Sequence, residues 1–150
     1  MIQIVRATIK DLNGLKELFE AYRRFYNYSA DFNAAQDFLR LRIENEESVI
    51  FLAVEENGKY CGFTQLYPLF SSTRMKRLWL LNDLYVLEPF RGKGISRKLI
   101  EAAKKLCVDT NACSLILETA KTNEIGNSLY PGAGFVLDEE HNFYSWDTPQ

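Results

Sequence analysis

The sequence predicts an α/β (α+β) fold, with helices packed on a central sheet, and three observations carry that expectation. Short runs of branched and aromatic residues alternate with stretches whose apolar positions recur every three or four residues. Glycine, proline and polar clusters mark the boundaries between them, as in Glu56-Asn-Gly-Lys59 and Pro131-Gly-Ala-Gly134. No repeat, low-complexity tract or linker interrupts the 150 residues, so the elements are expected to form a single domain over 1–150.

Met1 to Ala7 alternates apolar and polar side chains and reads as a first strand near a sheet edge. Thr8 and Asp11 make a capping box ahead of a helix in which Leu12, Leu15, Leu18, Phe19 and Tyr22 share one face. That helix ends in Tyr22-Arg-Arg-Phe-Tyr26, either a packed aromatic cluster with a solvated arginine pair or the wall of an acceptor site. Asn27 to Asn33 is a loop able to lie across a cleft, and Ala35, Phe38, Leu39 and Ile43 mark a second helix. Ser48 to Glu55 and Tyr60 to about Leu69 are strands joined at Asn57-Gly58, a signal for a primed turn, with Pro68 at the edge or end of the second.

After a polar loop at Ser71 to Met75, Leu78 to Val86 is an apolar strand buried on both faces, and Pro89 closes it. Arg91-Gly-Lys-Gly-Ile-Ser96 then opens a helix whose apolar positions are Ile95, Leu99, Ala102, Ala103 and Leu106. A helix start presents unpaired N–H groups and the positive end of the macrodipole, which attract a phosphate. Gly92 and Gly94 clear the approach, while Arg91 and Lys93 add charge suited to a pyrophosphate. The same string also fits a solvated glycine turn. Its spacing matches neither a P-loop nor a dinucleotide-binding fingerprint. Ser114 to Thr119 reads as another buried strand, parallel to and near the one ending at Val86. Asn123 to Tyr130 is a short helix stopped by Pro131 to Gly134, and Phe135 to Leu137 with Asn142 to Trp146 forms a closing hairpin around Asp138 to His141.

Composition narrows the function. A net charge of −2 and a pI near 5.5 give no basic field of the kind that binds nucleic acid. Cys61, Cys107 and Cys113 are odd in number and lack metal-ligand spacing, so they read as buried free thiols in a reducing, cytoplasmic setting. No apolar run is long enough to span a bilayer, so no membrane is expected. His141 is the lone histidine and reads as a surface turn residue; without clustered ligands no metal is expected.

The string from Arg91 to Ser96 resembles the acyl-CoA-binding motif of the GNAT superfamily of N-acetyltransferases, Arg/Gln-x-x-Gly-x-Gly/Ala, with Arg91, Gly94 and Ser96 at the fixed positions and Ser96 departing from Gly or Ala. Asn123-Glu-Ile-Gly-Asn-Ser-Leu-Tyr-Pro-Gly-Ala-Gly-Phe135 resembles the superfamily's second signature, Asn-x-x-Ala-x-x-Leu-Tyr-x-x-x-Gly-Phe, departing only at Gly126. Leu81 to Val86 and Tyr22 to Tyr26 resemble a microbial branch that includes fungal histone and polyamine acetyltransferases.

The resemblance implies the GNAT acyl-CoA N-acyltransferase fold: a mixed, mostly antiparallel sheet with one splayed parallel strand pair, flanked by four helices. It implies acetyl-CoA as cofactor, with the backbone of Leu84, Tyr85 and Val86 along the pantetheine arm. Arg91, Gly92, Lys93, Gly94, Ile95 and Ser96 would hold the pyrophosphate, and Asn123 would lie near the reactive end. Tyr130, otherwise a core aromatic at a helix end, becomes the general acid beside the thioester sulfur. Asp83 is either the base or a hydrogen-bonding anchor, with a water chain as fallback. Asn82 cannot usefully take a proton and joins Tyr22 and Tyr26 in binding substrate, with Tyr67 to Arg74 and the final hairpin also lining the site.

The expected activity is direct acetyl transfer, in a ternary complex, to the primary amine of a small molecule, polyamine or amino-acid-like. A protein or peptide acceptor, or an acyl-CoA sensor without turnover, are the alternatives. A homodimer is also expected, since relatives often dimerise and the aromatic C-terminal strand can pair across an interface.

Overall fold

Five strands line up in chain order in one sheet: β1 (Ile2–Arg6), β2 (Val49–Glu55), β3 (Tyr60–Ser71), β4 (Lys76–Val86) and β5 (Leu115–Ile116). The computed structural model describes all 150 residues, in two compact units of residues 1–118 and 119–150. β1 to β4 pair antiparallel, and β4 pairs with β5 in parallel. The first unit also carries α1 (Leu12–Phe25), α2 (Phe32–Glu44) and α3 (Ile95–Asp109); the second carries α4 (Glu124–Gly132). This is the expected mixed sheet with one parallel pair and four helices. No helix is long and apolar enough to cross a membrane.

Alternation along the strands sends side chains to two cores. On one face, Leu12, Leu15 and Leu18 of α1 and Leu39 of α2 bury against Ile50, Leu52 and Phe63. On the other, Ile95 and Leu99 of α3 bury against Ala53, Cys61 and Val86. Fully burying a leucine is worth about 1.5–3 kcal/mol, so the leucines of α1 account for much of its attachment. Thr8 and Asp11 form the capping box, with the Thr8 N–H donating to Asp11 Oδ2 at 2.8 Å, but the cap opens a one-turn 3-10 helix, Ile9–Asp11, that leads into α1. All three cysteines are free, Cys61 buried and the others partly so. Burial pushes the Cys61 and Cys107 thiols up, which keeps them unreactive.

Five expectations need correction. The turn after β2 is not primed: Gly58 alone has positive φ, +85°, and its N–H donates to Glu55 O at 2.9 Å, so a one-glycine bulge closes the hairpin. β3 runs on to Ser71, into the expected polar loop, and of the two readings of Pro68 the edge holds, because β2 pairs no further along β3 than Leu66. β5 is two residues rather than six, and Ile116 is 39% exposed. α4 runs through Pro131 to Gly132, since a proline in the last turn removes only one hydrogen bond.

The closing hairpin is the fifth. Asp138 does nucleate a turn, accepting the N–H groups of Glu140 and His141 at 2.9 and 3.2 Å, yet no strand forms on either side. A lone hairpin with one three-residue strand is marginal. Phe143, Tyr144 and Trp146 are accordingly 78–88% exposed.

Gly14 shows how tightly α1 is seated. A Cβ there would land on the Tyr60 ring, whose hydroxyl donates to Asp11 Oδ1 at 2.7 Å. Gly14→Ala should therefore lower the melting temperature, although alanine is the better helix former by about 1 kcal/mol. Thermal unfolding followed by circular dichroism checks the sign.

Candidate active site

The site begins with a miscount between two strands. Gln65 of β3 faces Asp83 and Leu66 faces Leu81, so Asn82 is an extra residue in β4. Such a bulge breaks the alternation of side chains. Asn82 and Asp83, which strand parity assigns to opposite faces, both line one cleft of about 280 Å³. The bulge is held by Thr64, whose hydroxyl donates to Asp83 O at 2.8 Å. Asp83 is 5% exposed, and its Oδ2 accepts Gln65 Nε2–H at 2.8 Å while its Oδ1 accepts Asn82 Nδ2–H at 3.1 Å. Gln65 is in turn bonded to Ser48 Oγ at 2.9 Å. Asp83 is thus hydrogen-bonded through both oxygens and also lines the cleft.

The walls are aromatic. Phe19 and Tyr22 come from α1, Tyr26 from its C-terminal cap, Tyr28 from the loop beyond, Phe38 from α2 and Tyr67 from β3. Phe19 stacks on Phe38 at 5.9 Å, and Tyr22 meets Tyr26 edge to face at 5.1 Å. Burial first, and the Asp83 carboxylate second, pushes the Tyr67 phenol up to about 12. It stays protonated at any working pH.

A buried acid closes the loop over this cleft. Glu20 has no exposed surface, and it accepts Arg23 Nη1–H at 2.7 Å and the Asp31 N–H at 2.8 Å. The same Arg23 nitrogen donates to Ser29 O at 3.0 Å, and the Asp31 side chain caps α2 through the Ala34 N–H at 3.1 Å. One carboxylate therefore ties the end of α1, the 26–31 loop and the start of α2 together. Sequence reading could not find Glu20, because the residues that bury it lie in the loop. Phe19 and Phe38 were legible only as helix-face residues.

Tyr22 also packs edge to face on Tyr85 at 5.9 Å, and Phe25 lies 6.1 Å from Tyr85. Beyond these rings is a second cleft, lined by Arg24, Glu88 and Arg91 among others. Arg91 sits over the Phe25 and Tyr85 rings at 5.4 and 5.5 Å, and its Nε–H donates to Val86 O at 2.8 Å. Gly92 and Gly94 have φ of +75° and +78°, and a Cβ at either would meet nothing within 4 Å. No side chain caps α3 at Gly94. With Arg91 and Lys93 outside any ion pair, this is an open backbone cradle with uncompensated positive charge, which fits a pyrophosphate. β5 pairs only with Trp79 and Leu80, so Leu84, Tyr85 and Val86 carry no strand on that side.

In the second unit, Asn123 caps α4, its Oδ1 accepting the Gly126 N–H at 3.0 Å and its Nδ2 donating to Thr119 Oγ1 at 2.8 Å. A Cβ on Gly126 would come within 2.5 Å of Asn123 Nδ2, which explains the departure from alanine at that position. At the other end Gly134, with φ +95°, and Phe135 close a Schellman motif: Gly134 N–H to Pro131 O and Phe135 N–H to Tyr130 O, both 3.0 Å. The Phe135 ring meets Tyr130 edge to face at 5.8 Å and fixes its orientation. His141 is exposed and bonds to Asp138, as expected of a turn residue.

The acetyltransferase (GNAT) family matches residues 15–135. The chain belongs to that family. This GNAT acetyltransferase is similar to an uncharacterised N-acetyltransferase of Bacillus subtilis (strain 168), YhfO, with 42% identity over 148 residues and 99% of both chains covered. It is also similar to a probable acetyltransferase solved by crystallography, with a TM-score of 0.95 at 36% identity and 99% of each chain covered. An aminoglycoside N-acetyltransferase solved in complex with CoA shares the fold, with a TM-score of 0.82 at 18% identity over 99% of this chain and 96% of that one. The GNAT chain is therefore an acetyltransferase enzyme, with the fold and the two signatures already described.

Glu20→Ala in this GNAT enzyme leaves Arg23 and the Asp31 N–H without their partner and should cost about 3 kcal/mol of stability. Urea unfolding measures that loss, and proteolysis should cut first within residues 26–31.

Proposed function

We propose that the enzyme moves an acetyl group from acetyl-CoA directly to the primary amine of a small molecule, both bound at once. The observation that supports this most is the pair of clefts on either side of the Tyr22, Phe25 and Tyr85 rings: one lined by Arg24 and Arg91, at the start of the open glycine string, the other aromatic with Asp83 in its lining. Arg91, Gly92, Lys93, Gly94, Ile95 and Ser96 would hold the pyrophosphate, and the unpaired side of Leu84 to Val86 would lie along the pantetheine arm. When bound, the cofactor supplies the acyl group as a thioester with a thiol leaving group.

The protein's residues position and move protons. Asp83 and Asn82 hold the amine, and Asp83 receives the proton the ammonium must lose before nitrogen can attack. Tyr22 and Tyr26 exclude water from it. Tyr130 Oη gives a proton to the departing sulfur, a role supported by the signature it belongs to and by the ring contact with Phe135 that fixes it. Asn123 acts through the N-cap of α4, a positioning role, and its remaining N–H is the one atom it has for the cofactor. The cysteines take no part.

Thiol release from acetyl-CoA with a panel of amines tests the proposal; cofactor binding with no turnover on any amine would leave a sensor instead. Tyr130→Phe should lower kcat by about a hundredfold or more while CoA affinity stays within about twofold. Gly94→Glu should abolish CoA binding, because a carboxylate enters the cradle, whereas Gly94→Ala, which shares the backbone strain but not the charge, should keep part of it. Calorimetric titration of CoA into both variants separates the two effects.

A further inference from the structure

The charges around the acceptor cleft do not suit a polyamine. Arg23 lines the cleft, but Glu20 neutralises it at 2.7 Å. Arg42, whose guanidinium lies 4.6 Å from the Phe38 ring centroid, is paired with Glu47 at 2.9 Å. Asp83 is the one carboxylate lining the cleft, and its bonds come from the neutral amides of Gln65 and Asn82. The cleft therefore has one unmatched negative charge on a nearly buried side chain, and apart from Asn82 and the paired Arg23 the rest of its wall is aromatic.

We propose that the cleft selects a primary amine with a single positive charge and a flat apolar body, an arylalkylamine by class, ahead of polyamines and hydrophilic amino acids; as an acceptor preference this rests on the acetyl-transfer reading above. The ammonium is held by Asp83 together with two groups that have no protein partner, the Asn82 Oδ1 and the Tyr67 hydroxyl. The protonated phenol of Tyr67 gives that corner a neutral donor and acceptor and no second anion. The body lies among Phe19, Tyr22, Tyr26 and Phe38, whose rings also attract the cationic head through their faces. A second ammonium along the same ligand would find no second unpaired carboxylate, since Glu20 is taken by Arg23 and Glu47 by Arg42, and a buried charge without a partner is costly. The volume of about 280 Å³ is at the small end for ligand sites and suits one ring with a short amine arm.

Calorimetric titration of the full chain with phenethylamine, spermidine, lysine and the neutral analogue 2-phenylethanol tests the preference. Phenethylamine should bind at least about tenfold more tightly than spermidine or lysine. Asp83→Asn removes the charge and one acceptor oxygen, so it should weaken phenethylamine by about tenfold, while 2-phenylethanol, which brings no charge for the carboxylate to hold, should stay within about twofold. Spermidine or lysine binding as tightly as phenethylamine would overturn the inference, and so would equal weakening of amine and alcohol in the variant. Thiol release with acetyl-CoA separates this from the parent reading. Turnover led by spermidine would keep the transferase and refute the selectivity, whereas the expected binding order with no turnover on any amine would keep the selectivity and refute the transferase.

Discussion

One extra residue in β4 organises the first unit. Without the bulge at Asn82, regular alternation would place Asn82 and Asp83 on opposite faces of the sheet, one toward α1 and the other toward α3. With it, both side chains enter the same cleft. Burying a carboxylate there is tolerable because each oxygen accepts an amide N–H and the backbone carbonyl at the same point has the Thr64 hydroxyl. Ser48, Gln65, Thr64 and Asp83 are all buried, and none of their side-chain atoms lacks a partner. The network fixes where the acid sits to within the play of a few hydrogen bonds.

The aromatic helix end does two jobs because its residues are spaced to face both ways. Tyr22 and Tyr26, four residues apart, meet edge to face and line the aromatic cleft. Phe25 turns toward Tyr85 and Arg91 and packs beneath the guanidinium. The rings thus stand between the surface that carries Arg91 and the cleft that carries Asp83. Arginine at position 91 suits this place, since its flat group lies over two rings while its Nε–H donates to Val86 O, and its terminal nitrogens are in no ion pair.

Much of this was legible before any coordinates. The glycine string carried its own physics, and both glycines at 92 and 94 do adopt the backbone conformation that side chains resist. Element order up to α4 followed from hydrophobic period alone. What stayed hidden shares a cause: pattern reading assumes regular geometry and local partners. A bulge is invisible to a period-of-two count, so Asp83 was left between base and anchor. The short β5 and the unpaired stretch after Phe135 depend on which strands lie alongside, and the burial of Glu20 depends on a loop folding back over it. Pro68 was legible as an edge or an end, and only the point where β2 stops pairing, at Leu66, tells the two apart.

The second signature is mostly architecture. Asn123 supplies the N-cap, Gly126 leaves room for that cap, Gly134 takes the left-handed position that ends the helix, and Phe135 covers the last turn. Leu129 is half-buried on the same helix. Of the motif's fixed residues, these account for every one but Tyr130 through ordinary helix-end chemistry. A nine-residue helix is too short to persist without help, so pinning both ends is what gives Tyr130 a fixed place. The motif is therefore best understood as one tyrosine and the scaffold that holds it still.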